Sequence, residues 1–299
     1  MRLDLAVARK FELSRRSARE AVRSGRVDVD GRTATEPGAD LAADAFVDYR
    51  PERPRRRAVR SRLSVLFEDR DVLVVDKPAG LLTVPTEARE KDTLWTRAIA
   101  YLQLRFGGRP YAGIVHRLDR DTSGALVFAR NRESLHALQE RFRTHAIERE
   151  YVALVEGDLS GSGRFDADLV HSPGLRRSVA GPGESGRRAV TRYRSIERLG
   201  GATLVSVRPE TGRTHQIRVH FSAAGHPILG DRVYGGRKEA ERRAPRQMLH
   251  ARKIGFPHPR SGEAVSAESP LPEDFSRVLE ELRARKKKRP GKAGPPSDR

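Results

Sequence analysis

The sequence predicts an α+β protein in which a large domain, built around a largely antiparallel mixed sheet, follows a small α/β domain. Helix and strand patterns intermix from Val65 to about Val278 without regular βαβ alternation and without a glycine-rich nucleotide loop. Residues 50–62, RPERPRRRAVRSR, are strongly basic and contain two prolines, which is typical of a linker. The 299 residues give room for two domains. The predicted divisions are a small domain at 1–49, a linker at 50–62, a large domain at 63–280 and a basic disordered tail at 281–299.

The first 49 residues predict two helices followed by a hairpin. Leu3, Leu5 and Ala8 indicate the first helix. Ser14 is a typical N-cap for the second helix, and Gly25 is a typical end for it. The hairpin signals are Val27 and Val29 in a first strand, Asp30-Gly31 in its turn, and Phe46, Val47 and Tyr49 in a returning strand.

The large domain opens with a predicted hairpin, in which the apolar runs 65–67 and 72–75 flank a polar turn. Asn131 is a typical N-cap for a helix with one apolar face. The further predicted elements are strands at 125–129, 151–155 and 203–207, and a helix that is capped by Thr214 and closed by Gly225.

The charge balance indicates a polyanionic partner. Lys and Arg number 59 against 40 Asp and Glu, which gives a formal net charge of +19. The linker at 50–62 and the tail at 286–299 carry 11 of these excess charges, so the folded remainder is basic as well. A basic protein of this kind is expected to bind nucleic acid.

The sequence lacks cysteine and long apolar segments, which excludes several classes of protein. The chain has no cysteine, which excludes disulfides, thiolate zinc sites, iron–sulfur clusters and a cysteine nucleophile. No apolar run approaches the roughly 20 residues of a membrane-spanning helix, and the opening MRLDL lacks the apolar core of a secretory signal. We therefore expect a cytoplasmic protein that does not bind membranes.

Two clusters of polar residues are candidates for a site. The first, HRLDRDTSG at 116–124, directly precedes a predicted strand. A carboxylate among arginines can serve as a nucleophile or a general base, and the same composition also fits a salt-bridged loop. The second, RPETGRTHQIRVH at 208–220, runs from a strand into the helix capped by Thr214, where Arg213 and free backbone N–H groups could bind a phosphate.

The opening segment LDLAVARKFELSRRSAREAVRSGRVDVDG resembles the small RNA-binding domain named after ribosomal small-subunit protein four. The match covers about 50 residues. It implies a fold of two helices and a short hairpin with a basic surface for structured RNA.

Six blocks of the large domain, spread in order over roughly 210 residues, resemble the RluA-type pseudouridine synthases. The resemblance implies isomerisation of uridines in structured RNA to pseudouridine, with base flipping and with neither a cofactor nor a metal. The blocks are VVDKPAGLL at 74–82, HRLDRDTSG at 116–124, REYVALVEG at 149–157, TGRTHQIRVH at 211–220, GHPILGDRVYG at 225–235 and LHARKIGFPHP at 249–259.

The resemblance also implies roles for individual residues. Asp119, rather than Asp121, matches the catalytic aspartate of the HRLD block, Tyr151 the tyrosine that stacks on the extruded base, and Arg218 the basic partner of the aspartate. Asp119 would attack a sugar carbon or abstract a sugar proton, and both routes stay open. The residues expected to bind substrate are His116, Arg117, Arg213, Thr214, His215, Gln216 and Ile217, with Arg117 a candidate for filling the space left by the base.

Alternatives remain at this point. A non-catalytic RNA-binding or ribosome-assembly factor could keep the same fold. Such a factor would not need Asp119, Tyr151 and Arg218, and this sequence has all three. A metal-dependent nuclease is disfavoured because Asp119 is flanked by arginine rather than by other acids. We expect a monomer that acts on ribosomal RNA, especially of the large subunit, with transfer RNA as the alternative.

Many relatives carry a histidine shortly after the Lys-Pro-Ala-Gly turn, whereas this chain reads Leu82-Thr83-Val84-Pro85.

Overall fold

The computed structural model describes residues 1–42, 44–53, 63–172, 176–235 and 244–288. The chain divides into two compact units, residues 1–62 and residues 63–299. Each unit is described by itself. None of the described helices is long and apolar enough to cross a bilayer.

The small unit has the two helices, the first strand, the Asp30-Gly31 turn and the strand at 47–49 that its sequence predicts, but the strand at 32–34 that closes the hairpin is not among the predicted elements. The side-chain oxygen of Ser14 accepts the Ser17 N–H and so caps the second helix, 3.0 Å away. The elements are α1 (Leu3–Lys10), α2 (Arg15–Arg23), β1 (Val27–Val29), β2 (Arg32–Ala34) and β3 (Val47–Tyr49), and the strands form an antiparallel sheet in the order β2-β1-β3.

The start of the predicted linker belongs to the small unit. The Arg50 N–H donates to the Arg26 carbonyl, and the Arg53 guanidinium binds both carboxylate oxygens of Asp28, at 2.5 and 2.7 Å. These contacts extend the small unit beyond the predicted boundary at residue 49, because a largely buried carboxylate needs a cationic partner. The rest of the predicted linker, residues 54–62, lies outside the described residues.

The large unit is organised around one mixed sheet, as predicted. Among its described strand pairs only β7 and β13 run parallel, and the others are antiparallel. The strand order is β10-β9-β11-β12-β8-β13-β7-β5-β4, with β14 beside β13 and β6 beside β7. The strands are β4 (Ser64–Glu68), β5 (Val72–Lys77), β6 (Gly113–Ile114), β7 (Ser123–Ala129), β8 (Glu148–Glu156), β9 (Ser162–Ser172), β10 (Arg176–Val179), β11 (Arg187–Arg198), β12 (Ala202–Pro209), β13 (Leu249–Pro257) and β14 (Ala264–Glu268).

Four helices pack against this sheet or at its edges: α3 (Leu94–Phe106), α4 (Arg132–Arg143), α5 (Gln216–Ala223) and α6 (Glu273–Lys288). The predicted N-cap of α4 is confirmed, since the Asn131 side chain accepts the Ser134 N–H. Helix α3 has no counterpart among the predicted elements. It begins at a capping box formed by Thr93 and Thr96 and packs into the same apolar cluster as β5, β7 and β8.

Two predicted boundaries are wrong. Helix α5 begins at Gln216 and not after a Thr214 cap, because His215 before it has a left-handed backbone with φ 60°. The predicted disordered tail begins too early, since α6 continues to Lys288. Its second half is held by Leu282 in an apolar cluster and by Arg283, which pairs with Glu197 at 2.8 Å. Residues 289–299 of the predicted tail lie outside the described residues.

Candidate active site

The loop that carries Asp119 is fixed from beneath by a buried lysine. The Lys77 side chain is fully buried, and its Nζ donates to the carbonyls of Pro78, Arg120 and Thr122 at 3.1, 2.8 and 2.7 Å. Two of these carbonyls lie on either side of Asp121, within three residues of Asp119. Burial lowers the pKa of Lys77 to about 7, against the opposing attraction of Asp119 and Asp121. The lysine of the Lys-Pro-Ala-Gly turn therefore shapes the loop that carries Asp119.

The segment Leu82-Thr83-Val84-Pro85 has a structural task. The Thr83 hydroxyl donates to the Leu118 carbonyl at 2.8 Å and accepts the Leu118 N–H at 3.2 Å. Leu118 immediately precedes Asp119, so this pair of hydrogen bonds fixes the backbone next to Asp119. The only proton of the Thr83 hydroxyl is committed to this contact, and the side chain is buried.

The far end of the same loop is fixed by β13 and the residues before it. Arg246 donates to the Asp121 carbonyl at 3.0 Å and to the Ser123 hydroxyl at 3.2 Å. Gly124 has φ 119°, and a Cβ there would collide with the backbone of Ala251 on β13. Only glycine fits this close approach of β7 to β13, which explains the last residue of the HRLDRDTSG block.

Helix α5 presents Arg218 to Asp119. Arg218 Nη1 donates to Asp119 Oδ2 at 3.0 Å, and the Arg218 side chain is only 7% exposed against 26% for that of Asp119. The aspartate is thus open to a ligand on one side and is held by a buried cation on the other. The two residues are 99 positions apart in sequence.

Arg218 is itself held by Asp231. Arg218 donates through Nε and Nη2 to the two oxygens of Asp231 at 2.6 and 2.8 Å, and the Asp231 side chain is completely buried. Burial opposes the charge of Arg218, yet Asp231 and Asp119 raise the pKa of Arg218 above its ordinary value. Asp231 Oδ1 also accepts the N–H groups of Val233 and Tyr234, which fixes the carboxylate.

Asp231 and Tyr234 are not among the residues predicted from the sequence. Both lie in the block GHPILGDRVYG at 225–235, and the only available signal is an acid and a tyrosine within a matched block. Tyr234 Oη lies 2.8 Å from His215 Nδ1, and the Arg218 guanidinium carbon lies 5.0 Å from the centre of the Tyr234 ring.

Tyr151 and Ile217 line the apolar side of the site. They share one buried cluster with Leu118 and Ala251, and Tyr151 on β8 is 9% exposed. Leu118 and Ile217 directly precede Asp119 and Arg218, so the cluster connects the loop that carries Asp119 to α5. Burial raises the pKa of the Tyr151 hydroxyl, and the charge of Asp119 raises it further while Arg149 opposes both. Tyr151 is consequently a neutral phenol near pH 7.

His215 also approaches Asp119. Its Nε2 lies 3.9 Å from Asp119 Oδ1, the oxygen that Arg218 does not contact. Of the residues predicted to form a site, the structure therefore brings Asp119, Arg218, His215, Tyr151 and Ile217 together.

Two of the predicted substrate-binding residues are used by the protein itself. His116 stacks on Phe142 with ring centres 4.7 Å apart, and its Nε2 accepts the Val127 N–H at 3.2 Å. Burial lowers the pKa of His116 to about 3, so its ring is neutral. The Gln216 amide donates to the Val190 carbonyl and the Thr191 hydroxyl, and accepts from Thr211 and Arg213, which uses its full capacity. We assign both residues to bracing the site rather than to contacting substrate.

The other predicted substrate-binding residues lie at the surface. Arg117, Arg213 and Thr214 are exposed, and Arg213 donates through Nε to the Arg188 carbonyl at 3.1 Å. Because α5 begins only at Gln216, Thr214 lies outside the helix that carries Arg218.

In the part of the chain that the structure describes, one group of side chains offers three candidate metal ligands: Asp69, Asp71 and His258. Both oxygens of Asp71 are bound by Arg260, at 2.8 and 2.9 Å. His258 Nδ1 accepts two backbone N–H groups, so its proton lies on Nε2, which is 3.0 Å from Asp69. The Arg260 guanidinium already pairs with Asp71, and the His258 imidazole has no free lone pair for a metal ion. These residues fit an ion-paired junction and not a metal site.

Comparison with known proteins gives consistent matches for both units. A family model described as RNA pseudouridylate synthase matches residues 71–223, and an S4 domain model matches residues 1–47. The chain is 38% identical to ribosomal large subunit pseudouridine synthase D of Pseudomonas aeruginosa, over 94% of this chain and 92% of that protein. It is 37% identical to an uncharacterized RNA pseudouridine synthase, YlyB of Bacillus subtilis, over 90% of each.

Solved structures have the same fold. A structure of human RNA pseudouridylate synthase domain containing 1 superposes with a TM-score of 0.57 and 28% identity, and covers 75% of this chain and 96% of that one. A structure of human RNA pseudouridylate synthase domain containing 4 superposes with a TM-score of 0.61 over 74% of this chain and 93% of that one, at 24% identity.

Proposed function

Because the chain belongs to the family of RNA pseudouridylate synthases, we propose that it isomerises uridines of large-subunit ribosomal RNA to pseudouridine, with Asp119 as the reacting residue. The observation that carries this proposal is the partly exposed Asp119 carboxylate, which a buried arginine holds by one oxygen only. A carboxylate held in this way is oriented but still has one oxygen open to the ribose.

The reaction breaks the bond between C1′ of the ribose and N1 of uracil, turns the base, and forms a bond from C1′ to C5. The hydrogen on C5 leaves to solvent, and N1 ends with a proton. Asp119 Oδ1 would act on the ribose, either by attack on C1′ or by removal of a sugar proton. Both routes need a carboxylate whose rotation is restricted, and Arg218 restricts it through Oδ2.

The base has to leave the RNA stack before a side chain can reach the sugar and the ring, so the reaction requires base flipping. The Tyr151 ring would stack on the extruded uracil and Ile217 would close the apolar side of the pocket. Their burial in one cluster beside Asp119 supports this assignment. An aromatic ring recognises a base face without selecting its sequence.

Ribosomal RNA is favoured as substrate by three observations. The large-subunit enzyme from Pseudomonas aeruginosa resembles this chain over nearly its whole length. The small unit resembles the S4 domain, and its helix α2 carries the exposed residues Arg15 and Arg16. The net charge of +19 favours a large polyanion. Arg117 and Arg213, both exposed on the large unit, are the proposed RNA contacts close to the site.

The test is release of tritium from C5 of labelled uridine, measured on ribosomal and transfer RNA transcripts in the presence of a chelator. We compare the wild type with Asp119→Asn and with Asp121→Asn, a matched control in the same loop. Wild type and Asp121→Asn are expected to release tritium from the ribosomal transcript, and Asp119→Asn to lose at least about 10³-fold in rate while it still binds RNA.

Each other outcome corrects a defined part of the proposal. Release by Asp119→Asn at the wild-type rate would remove Asp119 from the chemistry. Release from transfer RNA alone would change the substrate, and loss of activity in the chelator would show that a metal is required. No release from either transcript by a protein that still binds RNA would point to a binding factor.

A further inference from the structure

His215 lies between two groups that fix its role, Tyr234 on one side of the ring and Asp119 on the other. Its Nδ1 is 2.8 Å from Tyr234 Oη, and its Nε2 is 3.9 Å from Asp119 Oδ1. The residue has a left-handed backbone, φ 60°, directly before the first turn of α5. Histidine is among the few non-glycine residues that tolerate this conformation.

The hydrogen-bond pattern determines which ring nitrogen carries the proton. Tyr234 Oη accepts the Arg177 N–H at 2.9 Å, and its own proton finds an acceptor at His215 Nδ1. In the other tautomer the tyrosine O–H would have no acceptor among the described residues, and the lone pair of Nε2 would face a carboxylate oxygen. Both effects favour the tautomer with the proton on Nε2, directed at Asp119.

Burial is the main reason that the ring stays neutral. Burial lowers the pKa of His215, and the positive charges of Arg218 and Arg177 lower it as well, whereas Asp119 and Asp231 raise it. A neutral imidazole with a fixed N–H is a hydrogen-bond donor and not a base at Nε2. His215 is therefore suited to hold the Asp119 carboxylate rather than to take a proton from the substrate.

We propose that His215 is a positioning residue for Asp119: fixed by Tyr234 as the Nε2–H tautomer, it donates a hydrogen bond to Oδ1 in the RNA complex, opposite the bond from Arg218 to Oδ2. The 3.9 Å separation shortens to hydrogen-bond length on a movement of about 1 Å, the kind of tightening that occurs when a substrate closes a site. Oδ1 has two lone pairs, so one stays open to the ribose. This inference rests on the proposed function, because it assigns His215 a task in the reaction of Asp119.

The test compares two substitutions that differ in reach. His215→Asn tolerates the left-handed backbone and keeps an acceptor or donor near the place of Nδ1, but its amide does not extend to Asp119. His215→Gln extends an amide N–H to about the place of Nε2. In single-turnover tritium release we expect His215→Asn to slow the reaction about tenfold with RNA affinity changed less than about twofold, and His215→Gln to recover most of the rate.

A third variant tests the role of Tyr234. Tyr234→Phe keeps the ring beside Arg218 but removes the hydroxyl that donates to the neutral imidazole. Loss of that bond raises the pKa of His215. The protonated ring would form an ion pair with Asp119 and make its carboxylate less reactive, so the acid limb of the single-turnover pH profile should move to higher pH. Ser222→Ala is the matched control, since Ser222 donates to the backbone carbonyl of Tyr234 and leaves the hydroxyl in place. Its pH profile should equal that of the wild type.

Several results would overturn the inference. His215→Asn at the wild-type rate, or equal losses in His215→Asn and His215→Gln, would show that reach to Asp119 is irrelevant. A loss seen only as weaker RNA binding would make His215 a substrate contact. If His215→Asn does not fold, an unshifted pH profile of Tyr234→Phe still refutes the inference. The proposed function fails separately, through an inactive wild type or an active Asp119→Asn variant.

Discussion

The small unit and the centre of the large unit are both rich in arginine, but they use it in opposite ways. In the small unit Asp4 pairs with Arg2 and Arg19, whose side chains are 48% and 49% exposed. In the large unit the Arg218 side chain is 7% exposed and its partner Asp231 is fully buried. The first arrangement leaves the cations in water, and the second removes both charges from it.

Exposed arginines are suited to attracting a polyanion, whereas the buried Arg218 is suited to orienting Asp119. Exposed guanidinium groups are screened by salt and can bind phosphate wherever the backbone passes, so they supply affinity with little geometric demand. A buried ion pair is costly to desolvate, and it persists only where several hydrogen bonds satisfy both partners. Arg218 with Asp231 meets this condition, and the result is a fixed direction towards Asp119.

Among the variants that test this contrast between the two units, the largest effect is expected from Asp231→Asn, which breaks the buried pair. Arg218 then keeps only Asp119 as a charged partner, and the asparagine N–H₂ group opposes one of its donors. A displacement of Arg218, and with it of Asp119, of the order of 1 Å should lower the single-turnover rate about 100-fold. The RNA affinity should stay within about twofold of the wild-type value. The measurement is tritium release beside filter binding.

Glu197→Gln is the control for that variant, because it removes the acid of another arginine pair, with Arg283 on α6. It should leave the rate unchanged. A wild-type rate for Asp231→Asn would mean that Asp119 alone is enough to fix Arg218, and the contrast between the two units would lose its basis.

A smaller effect is expected from Arg15→Ser combined with Arg16→Ser on the exposed face of α2. Loss of two phosphate contacts should weaken RNA binding about tenfold near 0.15 M salt and reduce the salt slope by about 1 to 2. The rate at saturating RNA should not change. Affinity measured at several salt concentrations tests this.

The charge-matched control combines Arg143→Ser with Arg283→Ser, two arginines of the large unit that pair with Glu140 and Glu197. This control should weaken RNA binding clearly less than Arg15→Ser combined with Arg16→Ser. An equal loss in both double variants would indicate that attraction is spread over the whole surface and that α2 has no special part in it.

The smallest effect concerns the acid stability of the small unit. The hydrogen bond from Arg53 lowers the pKa of Asp28 to about 2, against the burial of the carboxylate. Since the unfolded value is near 4, the pair stabilises the fold above pH 4, and this stabilisation is lost as the pH falls from about 4 to 2. Asp28→Asn should accelerate amide exchange in α2 at pH 6 in the full chain, and the difference from wild type should shrink towards pH 3.

Asp44→Asn, an exposed acid of the same unit, is the control and should exchange like the wild type at both pH values. A difference between Asp28→Asn and wild type that stays constant with pH would show that shape, and not charge, is what Arg53 recognises in Asp28.

Some elements could be predicted because the interactions that form them are local. The N-caps Ser14 and Asn131 bind an N–H three residues further along the chain, and the Asp30-Gly31 turn connects adjacent strands. Helix α3 was not predicted. Its capping box consists of two threonines, Thr93 and Thr96, rather than the usual Ser or Thr with Glu.

The start of α5 could not be predicted either. A Thr at 214 is a good N-cap by composition, but the backbone at His215 turns left-handed, and the helix starts one residue later. The His215 side chain contacts Tyr234, 19 residues away, and spacing within the motif does not reveal such a partner.

By itself the sequence determined the fold class, the family, and the positions of Asp119, Tyr151 and Arg218, because motif order and local patterns are properties of the chain. Only the tertiary structure decided which residues fix the groups of the site in place. Lys77 beneath the Asp119 loop, Asp231 behind Arg218 and Tyr234 behind His215 are each separated from the group they fix by 13 to 45 residues. A buried polar atom needs a partner, and which partner reaches it depends on how strands and helices pack, which spacing along the chain does not encode.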